Sequence, residues 1–143
     1  MKVSEIMTDK VIPVGAGETA DVAARTLAQY NIGILPVCDP QGALCGLVTD
    51  RDLVTRCMAA GRLPATTQVT EIMTKQVVSV SPDTDVQQAA QLMASRQLRR
   101  LPVTENGQLR GIVSLGDMAR RGGNLTAAAT ALEGVSAPLT EGK

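Results

Sequence analysis

Thr49 with Asp52, and Ser114 with Asp117, each set a hydroxyl and a carboxylate three positions apart. Both pairs follow a short apolar run, Gly46-Leu47-Val48 in one case and Gly111-Ile112-Val113 in the other. Such a pattern reads as a strand running into a helix. A helix start presents unpaired N–H groups and a partial positive charge, a natural seat for an anion such as phosphate. A carboxylate beside it can accept hydrogen bonds from the two hydroxyls of a ribose. The same spacing also makes a capping box, in which the hydroxyl caps the helix and the acid reaches back. Duplication does not separate the two readings, because a repeated fold repeats its caps. Arg51 stands inside the first junction, and Arg99-Arg100 precede Leu101-Pro102-Val103. A guanidinium grips phosphate bidentately, although a surface arginine can equally be a solvated charge.

Catalytic chemistry finds little to work with. The chain has no histidine, which removes His-based acid–base catalysis and any His-containing zinc site. It has no Walker A loop, no Cys-x-x-Cys and no Rossmann glycine pattern. No catalytic residue, catalytic cofactor or metal site is therefore expected. Cys38, Cys45 and Cys57 read as small apolar fillers. A Cys-only zinc site would need another ligand or a second subunit. Cys38 and Cys45, at the two ends of one hairpin, keep a redox or metal reading as a minor alternative.

Composition narrows the partners. Fourteen basic and fourteen acidic residues cancel across 143 positions, so no global field draws the chain to nucleic acid or an anionic membrane. Tyr30 is the single aromatic residue, so almost nothing remains to stack bases, which further weakens single-strand nucleic-acid binding. No apolar run approaches the roughly 20 residues of a membrane span. The opening Met1-Lys2-Val3-Ser4-Glu5-Ile6-Met7 lacks the apolar stretch of a signal peptide, and a cytoplasmic protein is the expectation.

The elements that must hold these residues come as two copies. Val3-Ser-Glu-Ile-Met-Thr8 returns as Val69-Thr-Glu-Ile-Met-Thr74, and Leu35-Pro36-Val37 as Leu101-Pro102-Val103, both at an offset of 66. Gly42 and Gly46 return as Gly107 and Gly111 at 65, so one residue is lost from the second turn. The expected division is a first domain over 1–61, a linker over 62–68, a second domain over 69–122 and a tail over 123–143. Each copy reads as a helical turn (Ser4–Met7, Thr70–Met73), a brief strand (Val11–Val14, Val77–Val80), a helix, two strands and a final helix. This order, β-α-β-β-α, gives an α/β chain of the α+β type. Ala20, Ala23, Ala24, Leu27 and Ala28 keep helical spacing, as do Val86, Ala89, Ala90 and Met93, and both stripes are expected to pack on a sheet. Thr84 with Gln87 three residues on predicts the second helix start.

Pro36 and Pro102 cannot donate to a ladder, so their strands should lie at an edge or carry a bulge. Asn106-Gly107 predicts a tight hairpin. Gly46 and Gly111, inside strands, mark where another backbone or a ligand comes close. In the tail, Leu125–Glu133 predicts one weak helix, frayed beyond Gly134. Leu53, Val54, Cys57 and Met58, with Leu92, Leu98 and Met118, exceed what a thin sheet can cover and predict a homodimer.

Met-Thr, Leu-Pro-Val and Gly-apolar-apolar-Thr/Ser-x-x-Asp, in that order and twice over, resemble a pair of CBS (cystathionine-β-synthase) domains across residues 3–121. The runs Ile32–Val37, Gly46–Asp52 and Ala59-Ala60-Gly61 are similar to those of stand-alone bacterial two-CBS proteins of the stress- and hypoxia-response kind. The resemblance implies two copies packed about a pseudo-twofold axis as a Bateman module. It also implies clefts between the copies for AMP, ADP, ATP, NAD or S-adenosylmethionine. Carried over, Asp52 and Asp117 would hold ribose hydroxyls, and Thr49 and Ser114 would touch phosphate or ribose. Thr8–Val11 and Thr74–Val77, with Ile34–Pro36 and Arg100–Pro102, would sandwich the adenine. Pro36 and Pro102 suit that role if a partly unpaired strand leaves carbonyls free for the base. The chain then reads as a non-catalytic adenine-nucleotide sensor whose output is a separate effector protein or the ligand-bound state itself. The alternative is a dimeric interaction protein that has kept the fold without the ligand. Arg51, Arg99 and Arg100 are not related by the repeat, so the two sites should differ in affinity, with one tight nucleotide per chain.

Overall fold

The computed structural model of the chain describes residues 1–121 and 125–136. It forms two compact units. One, here the Asp52 unit, comprises Ile12–Val77 with Gly107–Leu109. The other, the Asp117 unit, comprises Met1–Val11, Val78–Asn106 and the described residues from Arg110 onward. Each repeat therefore supplies its opening segment to the unit that carries the other repeat's strands.

In the Asp52 unit, β1 (Val14–Gly15), β2 (Ile34–Cys38) and β3 (Leu44–Thr49) form a sheet in that order. β1 runs parallel to β2 and β3 antiparallel to it, with Pro36 opposite Leu47. Strand β2 is thus central, and of the two expectations for a strand containing proline, an edge or a bulge, it is the irregularity that is found. The missing N–H is tolerated because β1 pairs only with Val37 and Cys38, beyond the proline, and the β2–β3 register shifts at that same step. β1 itself starts only at Val14, one residue after Pro13, which has no N–H to donate.

Helix α1 (Ala20–Tyr30) buries Ala20, Ala23 and Leu27, and stops where Asn31 turns left-handed at φ 53°. Ala24 and Ala28, expected in the same stripe, lie exposed. A turn of helix α2 (Asp50–Asp52) widens into π-helical turns over Leu53–Met58. Helix α3 (Val69–Ile72), the opening of the second repeat, inserts Val69 and Ile72 fully buried beside Val14, Leu35 and Val48. Its start is closed by the Glu71 carboxylate, which accepts from the Gln68 N–H at 2.8 Å. That bond, with Arg62 at 2.7 Å behind it, holds the Glu71 carboxyl below the usual range.

The Asp117 unit repeats the plan. Val3 and Ile6, the opening of the first repeat, sit in a core with Val86, Met93, Leu101 and Val113. Helix α4 (Val86–Arg96) begins one residue later than Thr84 suggested, because the Asp85 carboxylate caps it by accepting from the Gln87 N–H at 3.0 Å. It ends on Gln97 in the left-handed region. Strands β4 (Arg100–Glu105) and β5 (Gln108–Ser114) follow, joined by Asn106 and Gly107 at φ 54° and 79°, the signs a tight hairpin turn requires. Over Val77–Val80 only Val80 pairs, with Val103. Helix α5 (Leu115–Arg120) closes the repeat.

The tail helix expected over Leu125–Glu133 is present and two residues longer, and the fraying expected beyond Gly134 falls mostly on 137–143, outside the described residues. Helix α6 (Leu125–Val135) runs past Gly134 and packs on α4 and α5, with Ala127 and Ala131 fully buried. Close packing, which helix propensity does not measure, holds it.

Both predicted close approaches occur. The Thr74 backbone pairs with Leu47 in both directions (3.0 and 2.8 Å), and Thr8 pairs likewise with Ile112 (2.8 and 2.9 Å). A Cβ on Gly46 would lie 2.6 Å from the Thr74 carbonyl oxygen, and one on Gly111 would lie 2.7 Å from that of Thr8. The two glycines thus admit the exchanged openings.

Candidate functional site

The hydroxyl–carboxylate pairs are built as capping boxes. Thr49 Oγ1 accepts from the Asp52 N–H at 3.0 Å, and Asp52 Oδ2 accepts from the Thr49 N–H at 3.0 Å. Ser114 and Asp117 do the same at 3.0 and 2.9 Å. One carboxylate oxygen is committed to the helix in each case. The other differs between the units. Asp52 Oδ1 faces Arg56 Nε at 3.7 Å, whereas Asp117 Oδ1 accepts from Arg120 Nη2 at 3.4 Å and from Thr8 Oγ1 at 3.5 Å. The Asp117 side chain is 3% exposed and that of Asp52 10%, so only the second oxygen could meet a ligand, and only by displacing these partners.

The exchange of openings decides which predicted residues meet. Thr8 and Val11 join Arg99, Arg100, Pro102, Ser114 and Asp117 in one unit. Thr74 and Val77 join Ile34, Pro36, Thr49, Arg51 and Asp52 in the other. Each unit thus holds one complete set. The two prolines are buried, and the Pro102 carbonyl already accepts from the Val80 N–H at 3.0 Å. One of its two lone pairs is thus taken, which leaves a single acceptor position for a base.

Charge separates the sets sharply. In the Asp117 unit, Arg99, Arg100, Ser114, Leu115, Gly116 and Arg120 line a cavity of about 270 Å³. The Leu115 N–H donates to the Arg99 carbonyl at 2.9 Å, which fixes the start of β4 against the start of α5. Among the described residues, no carboxylate pairs with Arg99 or Arg100. Three guanidinium groups and a hydroxyl therefore face one space, an arrangement suited to an oxyanion with several oxygens.

The Asp52 unit is built oppositely. The Asp50 N–H donates to the Gly33 carbonyl at 3.1 Å, the equivalent joint. Gly33 stands where Arg99 does, and a Cβ there would lie 3.5 Å from Asp50 Oδ2. A carboxylate occupies the place of an arginine, with Arg51 exposed beside it.

Three arginines escaped the sequence reading. Arg120 lines the cavity but has Thr55 as its repeat equivalent, so repetition could not reveal it. Arg56 and Arg121 each stand four residues after the junction aspartate, and this shared spacing was a usable signal. Arg56 Nη1 donates to the Met73 carbonyl at 3.2 Å and Arg121 Nη1 to that of Met7 at 3.0 Å, so each clasps the end of the exchanged opening. The cysteines behave as fillers: Cys38 and Cys57 are buried, and burial pushes the Cys38 thiol up from its ordinary pKa.

Two repeats with exchanged openings, each ending in a capped strand-to-helix junction, define an α+β domain pair. The CBS domain family model matches residues 3–59 and 69–123, and the chain belongs to that family. It is a tandem CBS pair, a regulatory kind of module. It is 40% identical over 134 residues to the CBS domain-containing protein YhcV of Bacillus subtilis, with 94% of each chain covered. It is 36% identical over 116 residues to Hypoxic response protein 1 of Mycobacterium tuberculosis, with 81% of each chain covered. Among solved structures, Hypoxic Response Protein I with two coordinated zinc ions superposes at a TM-score of 0.78 and 35% identity, covering 84% of this chain and 98% of that one. A hexameric CBS-CP12 protein from bloom-forming cyanobacteria superposes at 0.72 and 32% identity, covering 85% and 67%. Among the described residues no helix is long and apolar enough to cross a membrane.

Proposed function

We propose that the chain is a non-catalytic regulatory module that binds an adenine nucleotide, with its phosphates held in the Asp117 unit. The observation that carries this reading is the cavity lined by Arg99, Arg100 and Arg120 beside the Ser114 helix start. Phosphate oxygens would displace Arg120 from Asp117 Oδ1, and that oxygen would then be open to a ribose hydroxyl. The adenine would lie against the segments around Thr8–Val11 and Arg100–Pro102. The Asp52 unit offers the same cap with a carboxylate where the phosphates would go. It is the weaker site, or an empty one. Signalling would pass to a separate effector, and the chain would act as a homodimer, in keeping with the hexameric CBS-CP12 relative.

A ligand that binds only the folded state adds RT ln(1 + [L]/Kd), about 2.7 kcal/mol at 100 Kd. A thermal-shift series with adenosine, AMP, ADP and ATP should therefore raise the Tm, and more so as phosphates are added. A flat series at about millimolar nucleotide would instead favour a ligand-free interaction protein. The caps already satisfying Asp52 and Asp117 are compatible with that second reading.

A further inference from the structure

Arg99, Arg100 and Arg120 bring three positive charges to a cavity whose remaining lining is Ser114, Leu115 and Gly116. A guanidinium does not give up its proton in a protein, so this charge cannot be relieved by titration. Asp117, which pairs with Arg120, has no oxygen to spare. Its Oδ2 accepts from the Ser114 N–H at 2.9 Å, and its Oδ1 from Arg120 Nη2 at 3.4 Å and Thr8 Oγ1 at 3.5 Å. If phosphate draws Arg120 away, Oδ1 passes to the ribose. Among the described residues, no three His, Cys, Asp or Glu side chains gather closely enough to hold a metal ion.

A nucleoside di- or triphosphate meets a protein in two forms, free and with magnesium bridging its phosphates. Magnesium demands an octahedron of oxygens, keeps several waters, and is usually held to a protein through one or two carboxylates. We infer that the arginine cavity takes the metal-free nucleoside polyphosphate and discriminates against its magnesium complex. Magnesium occupies phosphate oxygens that the guanidiniums would otherwise grip in pairs. It also sets a divalent cation against three fixed positive charges, in a cavity whose lining offers it no carboxylate. Arg99 and Arg100 are exposed, so salt weakens the repulsion, but the loss of phosphate oxygens is local and persists. Magnesium then acts as an antagonist, and the module reports free nucleotide, not total nucleotide. This rests on the adenine-nucleotide reading above and adds the form in which the ligand is taken.

Calorimetric titration of the full chain with ATP tests it, once with a chelator and once with excess magnesium chloride, at one ionic strength set by sodium chloride. AMP, whose single phosphate holds magnesium weakly, is titrated in both buffers as the control. ATP affinity is expected to fall about tenfold or more in magnesium, with AMP affinity unchanged. Arg100→Ala should bind free ATP less tightly and show a smaller magnesium effect, because one phosphate grip and one repelling charge are gone. Arg100 is exposed, so this variant should fold as the parent does. ATP affinity that is unchanged or higher in magnesium would overturn the inference and leave the nucleotide reading standing. A magnesium effect as large in Arg100→Ala as in the parent would also overturn it, by placing the discrimination outside the cavity. No binding of ATP in either buffer would overturn the nucleotide reading and the inference together.

Discussion

Replacing Arg99 and Arg100 by alanine together should reduce ATP affinity at least a hundredfold while leaving the melting temperature of the ligand-free protein almost unchanged. Both side chains are exposed and lack a carboxylate partner among the described residues, so the fold does not use them. A hydrogen bond to a charged group contributes about 1.5–3 kcal/mol, and two of them correspond to roughly a hundredfold or more. Adenosine, without phosphate, should bind the variant and the parent alike. Equal losses for adenosine and ATP in calorimetry would mean that the arginines shape the cavity and do not hold phosphate. Arg51→Ala is expected to affect the two sites unequally, and its effect too should grow with phosphate number.

Ile6→Ala should cost about 2–5 kcal/mol of stability, read from urea unfolding. Ile6 is 1% exposed and packs in the Asp117 unit among Met93, Leu101 and Val113, although it precedes the first repeat's own strands. Its loss should also loosen Thr8, the neighbour of Asp117, and so lower nucleotide affinity. The equivalent Ile72→Ala should cost a similar amount of stability through the Asp52 unit, with the affinity at the arginine cavity preserved. A change below about 1 kcal/mol for Ile6→Ala would show that the opening segment is not a working part of the core.

Much of this arrangement was legible in the residues. The offset repeats fixed the element order, Asn106-Gly107 announced the hairpin, and Gly46 and Gly111 marked the two close approaches. Each of these is a local requirement, met by a residue type that little else can replace. The exchange of openings was not legible: Val3, Ile6, Val69 and Ile72 advertise that they are buried, and nothing in them says against which strands. The packing of α6 was not legible because Gly134, a weak helix-maker alone, is what lets the helix lie close against Ala94. Ala24 and Ala28 were assigned to the core because spacing does not tell a face that meets the sheet from one that meets a missing helix. Arg120 entered the site only through folding, being unique to the second repeat. The capping boxes, seen in outline from Thr49-x-x-Asp52 and Ser114-x-x-Asp117, proved to be full reciprocal pairs.

The central claim is that one nucleotide seats its phosphates on the arginine cavity of the Asp117 unit. Isothermal titration of the chain with ATP tests it most directly. The account predicts one tight site per chain, a second at least tenfold weaker, and loss of the tight site alone in the Arg99→Ala/Arg100→Ala variant. Two equal sites per chain, or a tight site that survives that variant, would contradict it.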